Sequence, residues 1–97
     1  MARPPIHPGE ILADELAFLE MTASALAREL DVPVNRVTQI LHGERGITAD
    51  TALRLIRWLG TSPELWLNLQ TRYELRKAEA EVGEEIRARV HPRQPAA

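Results

Sequence analysis

Asn35, Thr38, Gln39 and His42 fall at i, i+3, i+4 and i+7, so a helix through them carries all four on one face. That face is a row of amides, a hydroxyl and an imidazole with no acidic residue in it. Base edges in a DNA major groove offer donors and acceptors that such side chains can match. The same row also fits the solvated side of a short amphipathic helix. Arg45 follows in a loop set by Gly43 and Gly46, where it either reaches a phosphate or is a solvated arginine. Other chemistry is sparse. His7 and Glu10 have nothing nearby to complete a metal or acid–base site, so His7 is expected to cap a helix. His7, His42, His91 and the scattered carboxylates show no catalytic or ligand spacing within one element, and no enzyme, metal or cofactor is expected.

The surrounding stretch explains how the polar row could be positioned. Ala23, Leu26, Ala27 and Leu30 fall at i, i+3, i+4 and i+7, which predicts a helix with one apolar face capped by Thr22. Asp31 ends it, and Pro33 has a fixed φ suited to a new first turn. In the second helix Val37, Ile40 and Leu41 point inward. Three details favour a helix-turn-helix: small Ala27 at the crossing, a connection of about three residues, and helical segments on both sides.

The whole chain sets the frame. Ninety-seven residues make one small domain, and the Ala-, Leu-, Arg- and Glu-rich composition favours an all-α fold. The absence of cysteine excludes disulfides and thiolate chemistry. No apolar run approaches the ~20 residues of a membrane span, and Met1 to Pro5 lack a secretory core, so a cytoplasmic protein is expected. A net charge of −2 and a pI of about 5.9 are not those of a strong DNA binder. The middle is more favourable, with Arg28, Arg36, Arg45, Arg54 and Arg57 set between acidic ends. Modest affinity per subunit follows, which a dimer would raise.

Five helices are expected. Residues 1–6 read as an arm, 7–82 as the helical domain and 83–97 as a tail beginning where Gly83 breaks the last helix. The first helix carries Ile11, Leu12, Leu16 and Leu19 as its buried stripe, and the fourth, capped by Thr48, carries Ala52, Leu55, Ile56 and Leu59 up to Gly60. Ser62, Pro63 and Glu64 predict the start of the last helix. Leu65, Trp66, Leu69 and Tyr73 form one apolar stripe there, while Leu67, Leu75, Ala78 and Val82 lie on another side. A domain of this size can cover only one, so the second is expected to meet a partner chain, a second copy or another protein.

Three stretches narrow the reading: His7-Pro-Gly-Glu-Ile-Leu12, Gly46-Ile-Thr-Ala-Asp-Thr-Ala-Leu53, and Leu59-Gly-Thr-Ser-Pro-Glu-Leu-Trp-Leu-Asn-Leu-Gln70 followed by Tyr73. With the helix-turn-helix they resemble the HigA family of antitoxins, of the Xre-type, lambda-repressor-like fold, over roughly residues 7 to 80. The resemblance implies a dimeric repressor of its own operon that binds double-stranded operator DNA. It also implies a partner, a HigB-like toxin of the RelE class that cleaves messenger RNA. Carried over by position, Asn35, Thr38 and Gln39 would read bases; Thr22, Ser24, Arg36 and Arg45 would contact phosphates. Asp31 stands where such turns commonly have glycine, and Pro33 where a Ser or Thr cap is usual. The competing readings are a stand-alone regulator of this fold and a helical module that binds only protein.

Overall fold

The computed structural model describes residues 4–62 and 64–94. Five helices follow in order: α1 (Pro8–Leu19), α2 (Ala23–Leu30), α3 (Val34–Leu41), α4 (Ala49–Leu59) and α5 (Leu65–Arg89). Each start and stop has a local cause. His7 caps α1 through Nδ1, which accepts the Gly9 N–H at 2.9 Å, and Glu10 Oε2 accepts the His7 N–H at 2.9 Å. Two otherwise unpaired donors are thereby satisfied reciprocally. Thr22 and Thr48 cap α2 and α4 by accepting the N–H groups of Ala25 and Thr51. Glu20, Asp31 and Gly60 close α1, α2 and α4 in the left-handed region, where Asp is tolerated better than most residues.

The core is one cluster formed by Leu12, Leu16, Leu26, Ala27, Leu30, Val37, Ile40, Ile47, Ala52, Leu55 and Trp66. It draws on all five helices, so α2 and α3 are held by everything around them. The α1 stripe is narrower than expected. Leu12 and Leu16 are buried, but Ile11 and Leu19 are 38% and 39% exposed. Ile11 instead lines a cleft of about 320 Å³ shared with Ile6, Leu69, Arg72, Tyr73 and Arg76.

The last helix differs most from expectation. Glu64 stands at its N-cap with no side-chain bond, so the Ser62 hydroxyl does not cap it; Pro63 lies outside the described residues. Gly83 does not break it, and α5 runs 25 residues to Arg89. An interior glycine costs only about 1 kcal/mol, and the Glu79 carboxylate lies across Gly83 to pair with Arg87 two turns on. Residues 83–89 are therefore helix rather than tail. The radius of gyration is 17.0 Å, against about 12–13 Å for a compact chain of this length. The excess is the free end of α5, along which every residue from Glu74 to Arg89 except Gly83 is exposed.

The burial of His7 predicts a fold sensitive to acid. Its ring is buried and meets Tyr73 edge-on at 4.7 Å. Burial lowers its pKa below the ordinary 6.5, with Glu10 opposing and Lys77 adding to the shift. A lowered folded-state pKa means that the unfolded chain binds the proton more readily. The contribution of His7 is complete above about pH 6.5 and declines as pH falls through the folded value. The melting temperature should accordingly fall between pH 7.5 and 5.5. His7→Asn, which keeps a capping acceptor without a titrating ring, should flatten that window in thermal melts.

Candidate nucleic-acid interface

Helix α3 is amphipathic over its eight residues. Val37 and Ile40 are 2% and 1% exposed in the core, and Leu41 is half-buried. This anchoring turns Asn35 and His42 to the exposed side and leaves Thr38 and Gln39 half-buried beside them. The Thr38 hydroxyl donates to the Asn35 carbonyl at 3.2 Å, leaving its oxygen able to accept. The structure thus brings the four residues of the polar row together as the spacing predicts. Pro33 stands at the N-cap position, one residue before the turn expected for it, and supplies no side-chain cap.

The loop after α3 is fixed at both ends. Gly43 adopts φ 76°, and the N–H groups of Glu44 and Arg45 both donate to the Gln39 carbonyl, at 2.8 and 3.2 Å. Arg45 is exposed at its tip. From α5, the buried Gln70 accepts the Ile47 N–H through Oε1 at 2.7 Å and donates through Nε2 to Glu74 at 3.0 Å. From α1, Gly9 lies so close to the end of α3 that a Cβ would stand 1.9 Å from the Ile40 carbonyl oxygen. Only glycine permits that approach. Helix α3 and the loop that follows it are therefore held by α1 and α5 as well as by the turn.

Of the four residues assigned to phosphate, Thr22 and Ser24 are exposed at the start of α2. Thr22 Oγ1 accepts the Ala25 N–H at 3.1 Å and keeps its own proton to donate outward. Arg36 is differently placed. Its guanidinium pairs with Asp50 at 2.8 Å, and Asp50 accepts from Arg54 Nε at the same distance. Hydrogen bonds from Arg54 and then Arg36 hold the Asp50 carboxyl below its ordinary pKa, and the Arg54 guanidinium is raised in turn. Arg54 also donates to the carbonyls of Leu30 and Asp31, at 2.9 and 3.1 Å. One arginine of α4 thus seals the end of α2 and, through Asp50, orients Arg36 on α3. The i, i+4 spacing of Asp50 and Arg54 was visible in sequence; their reach to α2 and α3 was not.

Leu67, Leu75, Ala78 and Val82 are exposed on α5. Leu75 is 66% exposed, and the stripe continues past Gly83 through Ile86 and Val90. Among the described residues no three or more His, Cys, Asp or Glu stand together to hold a metal ion, and no helix is long and apolar enough to cross a membrane.

Comparison with known proteins follows the same lines. The helix-turn-helix family HTH_3 matches residues 19–66, from the end of α1 into α5. Virulence-associated protein I of Dichelobacter nodosus is 52% identical over 77 residues, covering 78% of this chain and 71% of that protein. The solved structure of an addiction module antidote protein of a HigA family from Coxiella burnetii superposes with a TM-score of 0.91 at 55% identity, covering 94% of this chain and all of that one. Pseudomonas aeruginosa antitoxin HigA, solved with the higBA promoter, superposes with a TM-score of 0.90 at 45% identity, covering 93% of this chain and 99% of that one.

Proposed function

Since the chain belongs to the HigA family of Xre-type helix-turn-helix proteins, we propose that it binds the operator of its own operon as a dimer, represses it, and neutralises a RelE-like toxin that cleaves messenger RNA. The observation that carries the DNA-binding part is the outward row on α3, anchored from behind by Val37 and Ile40 and steadied by Gln70 and Gly9. Asn35, Thr38 and Gln39 read base edges; His42, at the end of the row, borders them. Thr22, Ser24 and Arg45 contact phosphates, and Arg36 does so from within its pair with Asp50. The likeness to an antitoxin solved with its promoter supports this reading. Dimerisation rests on the uncovered apolar stripe of α5, and toxin binding on family membership. A repressor of this kind works beside the chromosome, in the cytoplasm.

The test is a binding series on the protein's own promoter fragment against random duplex, repeated at several salt concentrations. Each neutralised phosphate contributes about −0.9 to the slope of log K against log salt. If Arg36 and Arg45 each neutralise one phosphate per protomer, a dimer should give a shallow slope of about −3.6. A slope near zero together with no preference for the promoter would replace this reading with the protein-binding module. Selective promoter binding without toxin binding would leave a stand-alone regulator.

A further inference from the structure

A cleft of about 600 Å³ lies between α2 and α4. Its apolar lining is Leu30, Leu53 and the half-buried Trp58, with Leu53 62% exposed. Two exposed charges of opposite sign line it from opposite sides, Glu29 from α2 and Arg57 from α4. Neither forms an ion pair with the other or with any partner among the described residues. The remaining polar lining is already committed. Asp50 holds Arg36 and Arg54, and Arg54 also donates to the Leu30 and Asp31 carbonyls. Small-molecule sites have this build, a cleft of several hundred Å³ in which an apolar wall meets a few placed charges.

Charge selects the occupant. A simple anion would meet Glu29, and a simple cation would meet Arg57. A wholly apolar surface, such as the α5 stripe of a second copy, would desolvate both charges and pair neither. A zwitterion with an apolar body satisfies all three parts of the lining. We propose that the α2–α4 cleft binds a free α-amino acid with a large apolar side chain. Its carboxylate pairs with Arg57, its ammonium with Glu29, and its side chain packs on Trp58, Leu53 and Leu30. Both polar contacts are charge-assisted, and the aromatic wall adds apolar burial. Bound there, the amino acid ties the end of α2 to α4, beside the Arg54 contacts that seal the turn and orient Arg36 through Asp50. Occupancy therefore steadies the helix pair, and operator affinity rises with it. The site itself is independent of the function proposed above, whereas its control over DNA rests on the operator-binding part.

The experiment titrates the full chain, without DNA, with L-phenylalanine, following tryptophan fluorescence and heat by calorimetry. N-acetyl-L-phenylalanine, which lacks the ammonium, and L-phenylalanine amide, which lacks the carboxylate, stand for the two ends of a peptide. Saturable binding of L-phenylalanine with a Kd of about 1 mM or tighter is expected. Each capped form should bind the wild type at least about tenfold more weakly. Arg57→Gln and Glu29→Gln should each weaken binding of the free amino acid by a similar factor. Both residues are exposed, so thermal melts of the unliganded variants should match the wild type. With the amino acid near saturation, operator affinity should rise about fivefold or more in the wild type and not in Arg57→Gln. No saturable response up to about 10 mM, or binding that neither substitution weakens, overturns the site. A capped form that binds as well as the free amino acid replaces the occupant with a peptide end. Binding with unchanged operator affinity keeps the site and rejects its control over DNA. A protein that binds the amino acid but never selects its operator keeps the site and rejects the operator-binding function instead.

Discussion

The double substitution Thr38→Ala with Gln39→Ala should abolish preference for operator over random DNA and leave the fold standing. Both side chains lie on the outward side of α3, and neither belongs to the core cluster. The bonds that set the following loop go to the Gln39 carbonyl, a backbone group that alanine retains. Thr38 contributes only a local bond to the Asn35 carbonyl, and alanine is the better helix former. Stability should therefore be unchanged or slightly raised. Each well-made base contact discriminates by ~1–3 kcal/mol, so losing two should cut the operator-to-random ratio by about 30-fold or more. Fluorescence anisotropy on the two duplexes, with a thermal melt of the variant, measures both quantities. A variant that melts normally and still selects its operator would remove Thr38 and Gln39 from the reading face.

The polar face of α3 was legible in sequence because its signal is local. A 3.6-residue period places Val37 and Ile40 opposite Asn35 and Gln39 whatever surrounds the helix, and the Thr22 and Thr48 caps act within four residues of themselves. What was not legible depends on residues distant in the chain. Gln70 reads as one more polar position on α5; only the fold brings it to the Ile47 N–H, 23 residues away. Arg36 reads as a free cation until α4 supplies Asp50. The α1 stripe was over-read for a related reason: hydrophobicity shows that Ile11 and Leu19 can be buried, not that a neighbour arrives to bury them. Gly83 shows the limit of propensity. Its cost of about 1 kcal/mol is small for a helix of 25 residues, and so α5 continues.

Leu75→Glu should convert a dimer into a folded monomer with greatly weakened operator binding. Leu75 is 66% exposed in the protomer, and glutamate is a good helix former, so the single chain loses little. The cost falls on association. Leu67, Leu75, Ala78 and Val82, continued by Ile86 and Val90, form a stripe along a helix whose end stands clear of the body. Pairing two such stripes about a two-fold axis buries both, whereas a carboxylate at the centre would have to be desolvated without a partner. The same two-fold would set two α3 helices on half-sites about 34 Å apart, one turn of DNA. Linked half-sites gain about 10²–10⁴ in affinity over separate ones, and the variant should lose a comparable factor on the full operator. On an isolated half-site it should bind as the wild type does, because its reading face is untouched. Sedimentation at tens of micromolar is decisive. A dimeric wild type beside a monomeric, folded variant supports pairing through α5. A wild type already monomeric at that concentration assigns the stripe to the toxin instead.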